Sequence, residues 1–180
     1  TLLLGYRYNQ PFKKGVLPES LTHLTIGYYY NEPFDKGSLP QSLTTLKFNK
    51  YSEYNQSFKK GVLPQSLTTL ILGDDYNEPF EKGSLPQSLI TLKFNKYSNY
   101  NKSFSKGSLP ESLTTLELGN NYNQPFLKGS LPESLITLKF NEYSKYNEPF
   151  SKGVLPESLI TLELGWHYNQ PFLKDSLPKS

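Results

Sequence analysis

The sequence predicts an all-β, right-handed solenoid with one parallel sheet and little or no α-helix. Three observations carry that prediction. The first is a fixed period. Leu-Pro pairs end at Pro18, Pro40, Pro64, Pro86, Pro110, Pro132, Pro156 and Pro178, in steps that alternate between 22 and 24 residues. Phe12, Phe34, Phe58, Phe80, Phe104, Phe126, Phe150 and Phe172 keep the same steps, as do the Tyr-Asn pairs from Tyr8-Asn9 to Tyr168-Asn169. A period of this size marks a solenoid whose coils bury their apolar faces against one another, and eight coils exceed the roughly three that such an array needs. The second is composition: no Ala, Cys or Met, but 30 Leu, 14 Pro, 14 Tyr and 11 Phe among 180 residues. Ala is the best helix former and Pro the worst, so a largely helical chain is disfavoured. The third is a short alternating segment in every coil.

That segment is the strand. Leu46 and Phe48 point one way and Thr45 and Lys47 the other, the period-two pattern of a half-buried strand. Its equivalents are Leu24/Ile26, Leu70/Leu72, Leu92/Phe94, Leu116/Leu118, Leu138/Phe140 and Leu162/Leu164, with a partial first strand at Leu2 to Leu4. Each strand follows one full circuit of the chain, so all run the same way, about 4.8 Å apart. Every strand then meets Gly (Gly5, Gly27, Gly73, Gly119, Gly165) or Asn (Asn49, Asn95, Asn141), read here as residues that tolerate a sharp turn with positive φ. The return side holds Leu-Pro-x-Ser and is expected to be extended or polyproline-like. The whole chain, 1–180, reads as a single solenoid of about eight coils. It starts inside a repeat and without Met, and so reads as a segment of a longer chain.

Three ladders are expected to hold the coils together. The Phe and the Leu before Pro stack as apolar columns, each side chain worth roughly 1.5–3 kcal/mol when buried. The eight Asn, from Asn9 to Asn169, form an inward asparagine ladder that satisfies turn backbone from coil to coil.

The run Leu-Pro-x-Ser-Leu-Thr-x-Leu-x-Leu-Gly-x-x-Tyr-Asn-x-Pro-Phe resembles the FNIP repeat, found in social amoebae and in giant viruses that infect amoebae. Tyr8 to Phe12 and Tyr30 to Phe34 stand for its core, and the resemblance covers essentially the whole chain. Ser57 and Ser103 replace the Pro of that core in two coils. The resemblance implies a leucine-rich-repeat-like solenoid that serves as a protein-interaction scaffold. It also implies a link to a ubiquitin ligase through an F-box in a parent chain; no such helical segment is visible here.

His23 and His167 lie in different repeat positions six coils apart, and every Gly belongs to the repeat, leaving no phosphate loop. Asp74-Asp75 is an acidic pair in a turn, read as solvated rather than as a metal site. Asn55-Gln56-Ser57 and Asn101-Lys102-Ser103 fit the glycosylation sequon, but their Asn belong to the expected inward ladder. The expectation is no enzyme, no cofactor and no metal. The longest apolar run is three residues, Leu2-Leu3-Leu4, far too short to cross a membrane as a helix. With neither Cys nor a signal segment, an intracellular setting is favoured. A net charge of +3 from 19 cations and 16 anions points to no particular partner.

The outside of the solenoid is where function is expected. One outward strand column is nearly all Thr (Thr45, Thr69, Thr91, Thr115, Thr137, Thr161), with His23 as the exception. The other reads Thr25, Lys47, Ile71, Lys93, Glu117, Lys139, Glu163, where the last four alternate in sign. Just past the strands the sequence varies. Short coils carry Tyr28-Tyr29, Asp74-Asp75, Asn120-Asn121 and Trp166-His167, and long coils insert Tyr51, Tyr97 and Tyr143 at every second coil. Tyr and Trp offer large amphipathic area at small entropy cost, so this rim is the candidate partner surface, with Trp166 its best anchor; the equal alternative is that each inserted Tyr folds back over the coil below. A row of Lys (Lys14, Lys36, Lys60, Lys82, Lys106, Lys128, Lys152, Lys174) suits a polyanion, but nearby Glu19, Glu111, Glu133 and Glu157 argue against nucleic acid and for a solvated edge. A structural reading, coils stacking end to end into a larger particle, is the alternative to partner binding.

Overall fold

The computed structural model describes residues 1–179; Ser180, the last residue of the expected solenoid, lies outside the described residues. Eight strands follow in order: β1 (Leu2–Leu3), β2 (His23–Ile26), β3 (Thr45–Phe48), β4 (Thr69–Leu72), β5 (Thr91–Phe94), β6 (Thr115–Leu118), β7 (Thr137–Phe140) and β8 (Thr161–Glu163). They form one sheet in chain order, every neighbouring pair parallel, and no helix occurs among the described residues. Register follows the repeat, so Leu24 lies beside Leu46 and Leu70 beside Leu92.

Like residues therefore stack on like. Leu24, Leu46, Leu70, Leu92, Leu116 and Leu138 are fully buried, as are Tyr30, Tyr76, Tyr122 and Tyr146. Successive Tyr rings from Tyr8 to Tyr168 stack with centres 6.1–6.2 Å apart, and beside them Phe rings stack at 6.1–6.5 Å in two runs, Phe12 to Phe58 and Phe80 to Phe150. Such aromatic contacts add roughly 0.5–1.5 kcal/mol beyond the area they bury. Long coils end their strands in Phe48, Phe94 or Phe140, whose rings sit 4.2–4.4 Å from Tyr54, Tyr100 and Tyr146. The return side is extended, punctuated by two turns per coil. Ser38 N–H bonds Asp35 O at 3.0 Å, and Leu43 N–H bonds Pro40 O at 3.1 Å.

Two expectations are corrected. Positive φ occurs not at the strand-end Gly but at Gly15, Gly37, Gly61, Gly83, Gly107, Gly129 and Gly153 on the return side. The strand-end Gly are needed for a different reason. A Cβ on Gly73 would meet Ser52 Cβ at 2.7 Å and Asn49 O at 2.8 Å, closer than packed atoms approach. The Asn ladder exists and is unbroken: each N–H, from Asn31 to Asn169, donates to the Oδ1 of the Asn one coil back at 2.8–3.0 Å. It runs along the surface, however, and not inside. Asn9, Asn55, Asn101 and Asn169 are exposed and the other four half-buried, because Oδ1 reaches forward along the outer edge. A second ladder escaped the sequence reading. Ser42, Ser66, Ser88, Ser112, Ser134 and Ser158 each donate a hydroxyl to the Leu carbonyl of the preceding coil at 2.7–2.8 Å.

Candidate functional site

The strand face combines three columns. At the start of each strand, Thr45, Thr69, Thr91, Thr115, Thr137 and Thr161 are half-buried. Next to them runs a column the sequence reading passed over: Thr22, Thr44, Thr68, Ile90, Thr114, Ile136, Ile160. Here Thr44 and Thr68 turn their hydroxyls to the preceding coil's carbonyls. Ile90, Ile136 and Ile160 instead lie open to solvent, Ile160 at 80 % exposure. Ile standing where sister coils carry Thr, at an outward position, was the signal available.

In the charged column, Lys93 pairs with Glu117, and Lys139 with Glu163 at 2.7 Å. The hydrogen bond that the Lys139 ammonium donates to Glu163 pushes its pKa up from the ordinary value. Exposed pairs of this kind contribute at most about 1 kcal/mol. Lys47 stands apart, its strand neighbours being Thr25 and Ile71. At the ends of β5 to β8, Lys93, Glu117, Lys139 and Glu163 line a cleft of about 520 Å³ together with Lys96 and Glu142.

The rim is built by the inserted residues. In each long coil the chain turns at Asn, with Ser52 N–H on Asn49 O at 2.9 Å and the equivalents at Ser98 and Ser144. The Ser side chain is buried and accepts from the N–H of Tyr54, Tyr100 or Tyr146. The residue between, Tyr51, Tyr97 or Tyr143, is thereby forced outward and remains 56 %, 50 % or 41 % exposed. Lys50 Nζ sits over Tyr51 and over Tyr97, and Lys96 Nζ over Tyr97 and Tyr143. Trp166, 70 % exposed, meets Tyr143 edge-on at 4.8 Å. Tyr28 and Tyr29 form a separate cluster with Tyr6, whose ring stacks on Tyr28 at 4.7 Å. The sequence leaves open whether the inserted Tyr stand outward or fold back over the coil below; they stand outward, and the interleaved Lys are not foreseen from the sequence. Between the first two long coils, burial pushes the Asp74 carboxyl up, Lys50 eases it and Asp75 adds to it.

The Lys row on the return side has a mechanical role. The Lys14, Lys60 or Lys106 stem of the preceding coil lies over Gly37, Gly83 or Gly129, 3.5–3.8 Å from where a Cβ would stand, an ordinary packing distance. In the last coil Asp175 stands in the Gly place at φ 63 and pairs with Lys152 at 3.1 Å. Asp is among the few residues with a side chain that enter this region readily. His23 bonds only its neighbour Thr22, at 2.8 Å. Among the described residues no three His, Asp or Glu side chains are grouped so as to share a metal ion. Asn55 and Asn101 of the two sequons are exposed, so the inward placement expected for them is wrong.

Comparison with known proteins agrees with the period. The family model of the FNIP repeat matches residues 8–51, 54–97, 100–143 and 146–180, one match for each long-short pair of coils. Among solved structures, the crystal structure of CroV588, a circular LRR protein from a giant virus, is 38 % identical. It aligns over 98 % of this chain with a TM-score of 0.89, and this chain spans 25 % of that protein's length. No curated protein matches the sequence.

Proposed function

The chain belongs to the FNIP repeat family, and on that premise we propose that it is a non-catalytic scaffold capturing a protein partner across its strand face and aromatic rim. The observation that carries this is the company of exposed Tyr97, Tyr143, Trp166, Ile90, Ile136 and Ile160 on coils whose interior apolar columns are already packed. Large apolar side chains left in water beside a salt-bridged column are the composition of a contact surface, since aromatic anchors supply most interface energy. Tyr51, Tyr97, Tyr143 and Trp166 are the proposed anchors, with Tyr28 and Tyr29, Lys47, Lys93, Glu117, Lys139 and Glu163 as the surrounding contacts. The test is to identify a binder with the parent chain, then measure its affinity for a variant with all four anchors changed to Ser. Affinity should collapse while circular dichroism stays the same; undiminished affinity overturns the proposal.

A second reading is favoured by the likeness to a circular LRR protein, of which this chain matches a quarter. In it, coils join end to end into a larger closed arc. Sedimentation across a range of concentrations decides, and a monomer at every concentration contradicts it. The ubiquitin-ligase link implied by the family rests on an F-box elsewhere in a parent chain, and co-purification of ligase subunits with that parent is its test.

A further inference from the structure

Three phenol rings stand in a row with a lysine in each gap. Lys50 Nζ lies 4.8 Å from the ring centres of both Tyr51 and Tyr97, so those centres are at most twice 4.8 Å apart. Lys96 Nζ lies 5.6 Å from Tyr97 and 4.4 Å from Tyr143, which caps the second gap at those two legs laid end to end. Two coils at the strand spacing give about 9.6 Å, in agreement. Lys50 Nζ also donates to the Tyr51 hydroxyl at 3.3 Å, so it meets that ring toward its hydroxyl end. The three exposed rings follow one another along the solenoid like slats.

A linear partner must match that interval. A polyproline II segment advances about 9.3 Å in one three-residue turn, whereas an α-helix needs about 10.5 Å to bring its seventh residue back to the same side. The first gap excludes the helical interval and admits the polyproline one. A polyproline segment is also extended before it binds, so it loses little freedom on aromatic slats. Charge distinguishes the two gaps. Lys50 has the opposite charge of Asp74 beside it, from the short coil between. Where Asp74 and Asp75 stand, the short coil beside Lys96 carries neutral Asn120 and Asn121, with Lys145 held on Asn121 at 2.8 Å and Glu142 as the acid lining the same cleft. The second gap is net positive.

Resting on the scaffold reading above, we propose that Tyr51, Tyr97 and Tyr143 form a docking track for a proline-rich, polyproline II segment of a protein partner, with an acidic side chain seated at Lys96. On binding, Lys96 gives up its ring contacts for the incoming carboxylate, and proline rings pack against the phenol faces it vacates.

The experiment titrates the full chain into a fluorescein-labelled peptide of repeated Pro-Pro-Glu, about four turns long, and follows anisotropy. Repeated Pro-Pro-Lys and a helix-forming peptide with Glu at every seventh place are the comparisons. Saturable binding to Pro-Pro-Glu is expected, weakened roughly tenfold or more by Tyr97→Ser, as for removal of a central aromatic anchor. Lys96→Gln should weaken it clearly and Lys50→Gln much less, while circular dichroism verifies each fold. Absent binding, binding indifferent to Tyr97→Ser, or equal binding of the helical or basic peptide overturns the track. If peptide binding is absent but the partner assay still responds to loss of the four anchors, the track fails and the scaffold reading stands.

Discussion

Gly73 lies so close under Ser52 that a methyl group on it would sit 2.7 Å from the Ser52 Cβ. The same approach recurs between Gly119 and Ser98, and between Gly165 and Ser144. The inserted turn of a long coil closes over the end of the next strand, and that strand end must then be Gly. A Cβ on Gly27 would likewise run into Gly5 O of the first coil. The strand ends after the later short coils carry Asn: Asn49 after the coil of Gly27, then Asn95 and Asn141. A 46-residue pair, and not the single coil, is the unit that packs, which is the unit the family model matches.

Gly73→Ala should therefore destabilise by about 1–3 kcal/mol through overpacking. Asn95→Ala, at the same place in the next coil, should cost less than about 1 kcal/mol. Urea unfolding of the two variants beside the parent chain checks the order; equal losses contradict the steric account.

Only the acceptor atom of the Asn ladder is used. Asn77 Oδ1 takes the Asn101 N–H at 2.9 Å at the surface. Asn77→Ala should lose about 1 kcal/mol, the low end for a hydrogen bond whose donor can turn to water. Asn77→Asp keeps the acceptor and should lose distinctly less. Thermal unfolding of both variants is the check.

Burial pushes the phenols of Tyr30, Tyr54, Tyr76, Tyr100, Tyr122 and Tyr146 far above their usual 10.0. Once pH passes that value the unfolded chain gives up protons that the folded chain keeps. Stability is thus unaffected below about pH 9 and falls as pH rises beyond 10, by about 1.4 kcal/mol per pH unit for each phenol. Denaturant unfolding at stepped alkaline pH should show this slope, with phenolate absorbance from these residues appearing only as the fold is lost. Phenolate signal from all of them ahead of unfolding would contradict the buried column.

The columns were legible in the sequence because Leu24, Tyr54 or Phe58 recurs in register eight times over, and a large apolar side chain kept in every coil marks the inside. What period does not encode is the reason a residue is kept. Gly73 reads the same whether it is needed for a left-handed turn or for lack of a side chain, and only the neighbour Ser52 decides. Asn55 shows its spacing but not its depth. The direction of a long side chain along the solenoid is equally hidden: Lys14 reads as charge, yet its stem covers Gly37, and Lys50 reads as part of an insert, yet it fills the gap between two rings. Ile90 and Ile136 were readable as departures from Thr and were passed over because Ile also fits a strand.

Tyr97 and Tyr100 are three residues apart in one coil, the first half-exposed on the rim and the second 1 % exposed between Phe94 and Phe104. Chemical denaturation of Tyr97→Ser and Tyr100→Ser separates a surface free for binding from the columns that hold the coils. Tyr100→Ser should lose about 3–5 kcal/mol, the range for deleting a buried ring, and Tyr97→Ser less than about 1 kcal/mol. A comparable loss from both, or a larger loss from Tyr97→Ser, would contradict the division of labour on which the functional reading stands.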